Sequence, residues 1–316
     1  MGAWVRSSLA CAVAAAAVLS MPVTAGGAGS TPPYLTLLFS RTQVASAAAC
    51  APLAGAVRLD TGVAPALKKR GLTGTGSIVL DFTAATALTC YDDRRADGSV
   101  VRPKAILGGS WATAATLRDS YGWSFVSHSK SYRDMTTLSA SQQRAESCGT
   151  LQTFRTHGHF RADGLFAYPN NHFTSTIQSQ IVSSCFAFGR RYGDINVRSA
   201  MGPPWFAQSH AVNGGACNVA SLPCFSLATP FHYSSPVALG NEVAGLGPDH
   251  WLILQGYRFL RGSLAGRYDC TAPDWRAHWT TSTEEYCWND YLGVLDRINA
   301  ATHVVDPKTV ATAWGR

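Results

Sequence analysis

Three places in this chain carry residue types at spacings that could do chemistry. His128 follows the apolar run 124–127 and opens the segment His128-Ser129-Lys130-Ser131-Tyr132-Arg133-Asp134. An imidazole there can ligate a metal or simply hold a hydrogen bond. Asp92 and Asp93 are adjacent carboxylates that could act as ligand and base. Their surroundings, Tyr91 to Gly98 ending in Asp97-Gly98, also read as a turn. His157-Gly158-His159 has ligand-like spacing, but it precedes an apolar run and so falls on the side opposite His128, as a surface loop. Ser40 with His128 would make a nucleophile–base pair, for which no acidic third member is identifiable. The Gly-x-Ser-x-Gly elbow of serine hydrolases is absent.

Cysteines add a second kind of chemistry. One of the nine, Cys11, lies in an N-terminal segment with Arg6, an apolar run over 9–19, Pro22 and the small-residue stretch Val23-Thr24-Ala25. That is the pattern of a secretory signal peptide over 1–25, and it predicts a soluble exported protein. No later stretch is apolar for long enough to span a membrane. The remaining eight cysteines, an even number in an exported chain, predict four disulfides. Sequence neighbours suggest Cys50–Cys90, Cys148–Cys185, Cys217–Cys224 and Cys270–Cys287. No Cys-x-x-Cys spacing supports a zinc site among them.

These groups must be held by a folded frame. Of 316 residues, 46% are hydrophobic and 14% charged, which gives a sizeable core and excludes a disordered chain. The net charge of +7 comes from scattered residues and short groups such as Lys68-Lys69-Arg70 and Arg190-Arg191. It fits mild attraction to anionic polymers and argues against nucleic acid. Seven apolar runs predict buried strands at 34–39, 77–82, 124–127, 165–168, 185–188, 195–198 and 251–255. Helices are predicted at 111–119, 139–156, 174–182 and 284–299, the second opening on the capping box Ser139-x-x-Gln142. Strands alternating with helices imply an α/β fold, a largely parallel (β/α) barrel of about seven strands in one domain over 26–316. No Gly-x-Gly-x-x-Gly follows the first strand, which disfavours an open doubly wound sheet. Residues 203–231 read as an irregular excursion, and the residues after Gly256 as an extension packed outside the barrel. In such a barrel the site lies where strands end.

At those strand ends a family resemblance appears. The segment 122–139, with His128-Ser129-x-x-Tyr132, resembles the second motif of polysaccharide deacetylases, the family-four carbohydrate esterases, in which a strand leads into His-Ser/Thr-x-x-His. The strand 34–39 followed by Ser40-Arg41 resembles the first motif, Thr-Phe-Asp-Asp-Gly. Phe166-Ala167-Tyr168-Pro169-Asn170-Asn171 resembles the third, and 251–255 the last, an apolar strand ending in His. The order is the family's, from about residue 34 to 256. The resemblance implies a distorted (β/α) barrel, carbohydrate as partner, and hydrolysis of N-acetyl groups by a divalent cation such as zinc. The departures fall on the chemistry. Ser40 and Arg41 stand where the family has two Asp. Tyr132 stands for the second His, Gln255 for the last motif's His and Ala167 for the third motif's Arg. Arg41 keeps its charge at any working pH and would repel a cation. The expectation is therefore a pocket of Ser40, Arg41, His128, Tyr132, Asn170 and Gln255 that binds or acts on N-acetylated glycan without a catalytic metal. The alternative is an active N-deacetylase whose site is rebuilt around His128, Asp92 and Asp93.

Overall fold

The computed structural model describes residues 29–39, 57–83, 90–94, 100–107, 109–192, 195–203, 205–211, 236–256, 258–264, 268–270, 285–298 and 302–316. Contacts divide the chain into Met1–Ser30 and Thr31–Arg316, and every element named below belongs to the second unit. The predicted signal peptide, with Cys11, lies outside the described residues, as do Ser40, Arg41, Cys50, Cys217 and Cys224.

Seven strands form a ring: β1 (Tyr34–Phe39), β2 (Thr75–Ile78), β3 (Ser124–Ser127), β4 (Leu165–Ala167), β5 (Phe188–Tyr192), β6 (Phe206–Ala211) and β7 (His250–Gly256). Each pairs in parallel with the next. β7 then pairs in parallel with β1, Tyr34 opposite Trp251 and Phe39 opposite Gly256, so the sheet closes. Two short strands extend the sheet: Asn196–Val197 runs antiparallel on the start of β7, and His303–Val304 runs parallel to β1.

Two strand expectations are corrected here. The run 195–198 is not a barrel strand; it pairs over two residues only. The ring member is β6, inside the stretch read as irregular, because Phe-Ala-Gln-Ser-His-Ala has too few apolar residues to stand out as a buried strand. The run 185–188 marks only the entry to β5, whose later residues Arg190 and Arg191 ended the apolar pattern early.

Alternation of side chains divides the core in two. Leu35, Leu37, Phe39, Phe125, Phe166, Leu252 and Leu254 face outward and pack with helical residues such as Leu117, Leu151, Phe154, Ile177, Tyr291 and Val294. Tyr34, Leu38, Val126, Leu165, Phe188, Ala207, Trp251 and Ile253 form a separate cluster drawn from six of the seven strands, the barrel interior. Both faces of β1 are therefore buried, which is why it reads as a near-continuous apolar run.

Among the described residues, eight helices accompany the ring: α1 (Ala64–Lys68), α2 (Trp111–Tyr121), α3 (Ala140–Glu146), α4 (Thr150–Thr156), α5 (Ser175–Gln180), α6 (Pro236–Ala244), α7 (Trp288–Leu295) and α8 (Pro307–Ala313). The Ser139–Gln142 capping box is present. The helix predicted over 139–156 is nevertheless two, because Ser147 leaves helical geometry (φ −105°, ψ −86°). Beside the break, Glu146 turns to Ser131 and Cys148 is bonded to Cys185. Strand Glu285–Cys287 takes the start of the helix predicted at 284–299. The extension packs in two ways: α7 lies against the outward-facing side chains of the ring as expected, whereas Val310 and Ala311 of α8, with Trp314, join the interior cluster and cover the N-terminal mouth of the barrel.

Cys148–Cys185 and Cys270–Cys287 are bonded as expected. The other two pairings include cysteines outside the described residues. No described helix is long and apolar enough to cross a membrane.

Candidate functional site

The chain leaves β3 through His128. Its N–H still donates to the Ile78 carbonyl at 2.8 Å, which extends the β2–β3 pairing by one step. His128 shares the parity of Val126 and so points to the interior side; it is 2% exposed. Its Nδ1 lies 2.8 Å from the Ala167 carbonyl. A carbonyl only accepts, so Nδ1 carries the hydrogen and Nε2 is left as an acceptor.

The next turn is tightly wound. Ser129 and Tyr132 both have positive φ (75° and 62°), and the Ser129 Oγ accepts from the Tyr132 N–H at 2.8 Å. In the facing loop after β4, Asn170 and Asn171 are also left-handed (49° and 59°). These four are most of the six non-glycine residues with positive φ among the described residues, and they occupy two adjacent loops on one rim. Such conformations cost free energy and persist where surroundings fix them, commonly at binding or catalytic sites. The Tyr132 hydroxyl donates to Asn170 Oδ1 at 3.2 Å, and its ring stands edge-on to His128 at 5.0 Å between centroids.

Two carboxylates brace this loop. Glu146, at the end of α3, accepts from the Ser131 N–H at 2.8 Å and from its hydroxyl at 2.5 Å. Asp134 accepts from the Thr136 N–H and hydroxyl at 2.8 and 2.7 Å through one oxygen, and meets His172 Nδ1 at 2.7 Å through the other. Burial pushes the Asp134 carboxyl up, but the hydrogen bonds from Thr136 and His172 outweigh it and hold the group below the usual range. On the turn after β2, burial raises the Asp81 carboxyl, opposed by Lys130 and reinforced by Glu146.

Of the residues expected in the pocket, His128, Tyr132 and Asn170 come together. Gln255 is fully buried, shares the interior parity of Trp251 and Ile253, and stands opposite Leu38 in the register. Ser40 and Arg41, next along the chain from Phe39, lie outside the described residues. Asp92 and Asp93 are not in a turn; they lie on strand Cys90–Arg94, paired antiparallel with Val100–Leu107. His157 is exposed and stacked on Trp111 at 4.0 Å, whereas His159, read as surface loop, is 5% exposed against Phe125. Sequence reasoning passed over Arg190, which is 1% exposed and two residues beyond the interior Phe188. It also passed over the pairing of Asp134 with His172, for which spacing gives no signal.

The described residues around His128 do not fit a divalent cation. Beside His128's own imidazole nitrogen they offer a phenol and amides, where catalytic zinc usually takes three ligands. Among the described residues no group of three or more His, Cys, Asp or Glu could hold a metal ion.

No protein-family model and no curated protein matches the chain. Solved structures do align with it. A family 4 carbohydrate esterase from Streptomyces lividans in complex with acetate is 14% identical, over 89% of this chain and 96% of its own, with a TM-score of 0.41. The chitin deacetylase of the fungal pathogen Colletotrichum lindemuthianum is 13% identical, over 71% and 73%, with a TM-score of 0.38. A peptidoglycan N-acetylglucosamine deacetylase is 11% identical, over 85% and 82%, with a TM-score of 0.40. The barrel assignment rests on this chain's own closed ring.

Proposed function

We propose that this chain is an exported, polysaccharide-deacetylase-like protein that binds or acts on N-acetylated cell-wall or environmental glycans without metal-dependent catalysis. The observation that carries the reading is the contact set at His128. Where the resembling family places its second metal ligand, Tyr132 gives its hydroxyl to Asn170 and sets its ring against His128. His128 keeps the orientation of a ligand, one nitrogen on a backbone carbonyl, and the residue at the second ligand's place in that turn is Tyr132. Carbohydrate as ligand is supported by the order of the four motif-like segments, and export by the N-terminal pattern and the two disulfides. Tyr132, Asn170 and Gln255 supply hydroxyl and amide groups of the kind that hydrogen-bond sugars. No cation takes part in such binding.

The test is calorimetric titration with N-acetylglucosamine oligomers, with and without chelator, alongside elemental analysis and an acetate-release assay. The expected result is binding that survives chelator, no stoichiometric zinc and no chelator-sensitive acetate release. One equivalent of bound metal, with acetate release abolished by His128→Ala, overturns the reading.

A further inference from the structure

The two rim loops are joined by three successive contacts. His128 reaches the Ala167 carbonyl, Tyr132 reaches Asn170, and Asp134 reaches His172. The third differs from the others in being reachable from solvent. The His172 side chain is 30% exposed, while that of Asp134 is 9% exposed. Among the described residues the His172 Nε2 has no partner. One contact inward, Asn170 Nδ2 is buried and has no hydrogen-bond partner, a donor still to be satisfied.

We infer that Asp134 and His172 form a metal-independent proton-transfer pair at this rim, with His172 as general base toward water and a carboxylic ester as substrate. A carboxylate on Nδ1 fixes the tautomer that leaves Nε2 able to accept a proton, and it stabilises the imidazolium that forms. In the step, Nε2 takes a proton from a water while the water oxygen bonds to the ester carbonyl carbon. The tetrahedral oxyanion collapses, the carbon–alkoxide bond breaks, and the imidazolium returns its proton to the departing alkoxide oxygen. Carboxylic acid and alcohol result, and no electron is exchanged. An ester, whose alkoxide leaves more readily than an amide nitrogen, asks least of a general base acting without a cation, so the class is ester. His172 is the catalytic residue, and Asp134 is the positioning residue. The inference rests on the glycan reading only for where such esters would be met.

The experiment measures initial rates on 4-nitrophenyl acetate in chelator-containing buffer across pH 5 to 9 (a range set about the ordinary histidine value). The variants are His172→Gln, Asp134→Asn and, as a control on exposed histidine, His157→Ala. Asp134 also caps the short 3-10 turn Met135–Thr137 through the Thr136 N–H, and asparagine caps as well as aspartate does, so a purely capping Asp134 predicts no change in Asp134→Asn. The pair predicts a wrongly protonated imidazole, with turnover down about a hundredfold and the single histidine inflection in the pH profile gone. His172→Gln should lose as much, and His157→Ala nothing. Wild-type turnover in His172→Gln or Asp134→Asn, loss of wild-type activity in chelator, or an equal loss in His157→Ala overturns the inference. Glycan titration of the wild-type protein is read separately, so a failure of that reading is distinguishable from a failure of this one.

Discussion

At the N-terminal mouth of the barrel, the apolar side chains of Tyr34, Phe188 and Trp251 meet those of Val310, Ala311 and Trp314. At the C-terminal mouth, His128, Ser129, Tyr132, Asp134 and Asn171 are buried polar residues held in loops with left-handed backbone. The same ring of strands thus ends in two chemistries. One end gains mainly from packing apolar side chains out of water, with Thr36 hydrogen-bonded among them. The other holds polar atoms out of water by pairing them and keeps its backbone in costly conformations. The comparison teaches that large effects on stability belong to the first end, and that changes at the second should show mainly in ligand and rate measurements.

The most direct way to break this division is Trp251→Ala. The side chain is fully buried, packs on Phe188 and Trp314, and donates to the Thr36 hydroxyl at 3.0 Å. A loss of about 3–5 kcal/mol is expected in denaturant unfolding. A loss below about 1 kcal/mol would mean that the plugged mouth is not a stability element. Replacing Cys148 and Cys185 together by Ser should cost about 3 kcal/mol, read as a lowered melting temperature of the oxidised protein.

His159 sharpens the comparison through pH. Burial, with Arg118 and His157 nearby, pushes its imidazole down to about 4. The folded state therefore takes up this proton later than the unfolded chain does. Stability is full above about pH 6.5 and is lost as pH falls toward 4, by roughly 3 kcal/mol. His159→Phe should flatten that part of the stability–pH curve; an unchanged curve would assign the acid sensitivity elsewhere. The smallest stability effect belongs to the rim. Tyr132→Phe removes one hydrogen bond to Asn170, worth about 1 kcal/mol, and should be more visible as weaker glycan binding than as a melting shift.

Much of the frame was legible in the sequence. β1 and β3 match their apolar runs because both faces of each strand are buried, and Ser139 caps α3 through chemistry local to four residues. β6 was not legible, because a strand already paired on both edges needs little apolar side chain to stay in place. The break before α4 depends on Glu146 reaching Ser131 and Cys148 reaching Cys185, contacts outside any helical pattern. At the site, His128, Tyr132 and Asn170 could be named because motif order placed them at strand ends. The Asp134–His172 contact spans 38 positions and exists only through the way β3 and β4 lie side by side. Arg190 was hidden for the opposite reason, since a charged residue is not expected inside a barrel.

The helix over the N-terminal mouth also sets a timetable. Thr36 of β1 donates to the Val305 carbonyl, 269 positions later, and His303–Val304 lies beside Tyr34 and Leu35. During synthesis every barrel strand leaves the ribosome before the residues that cover the ring's apolar end. Contacts this distant in sequence slow folding. The nascent chain therefore keeps an unfinished apolar surface at that end of the ring until α8 arrives.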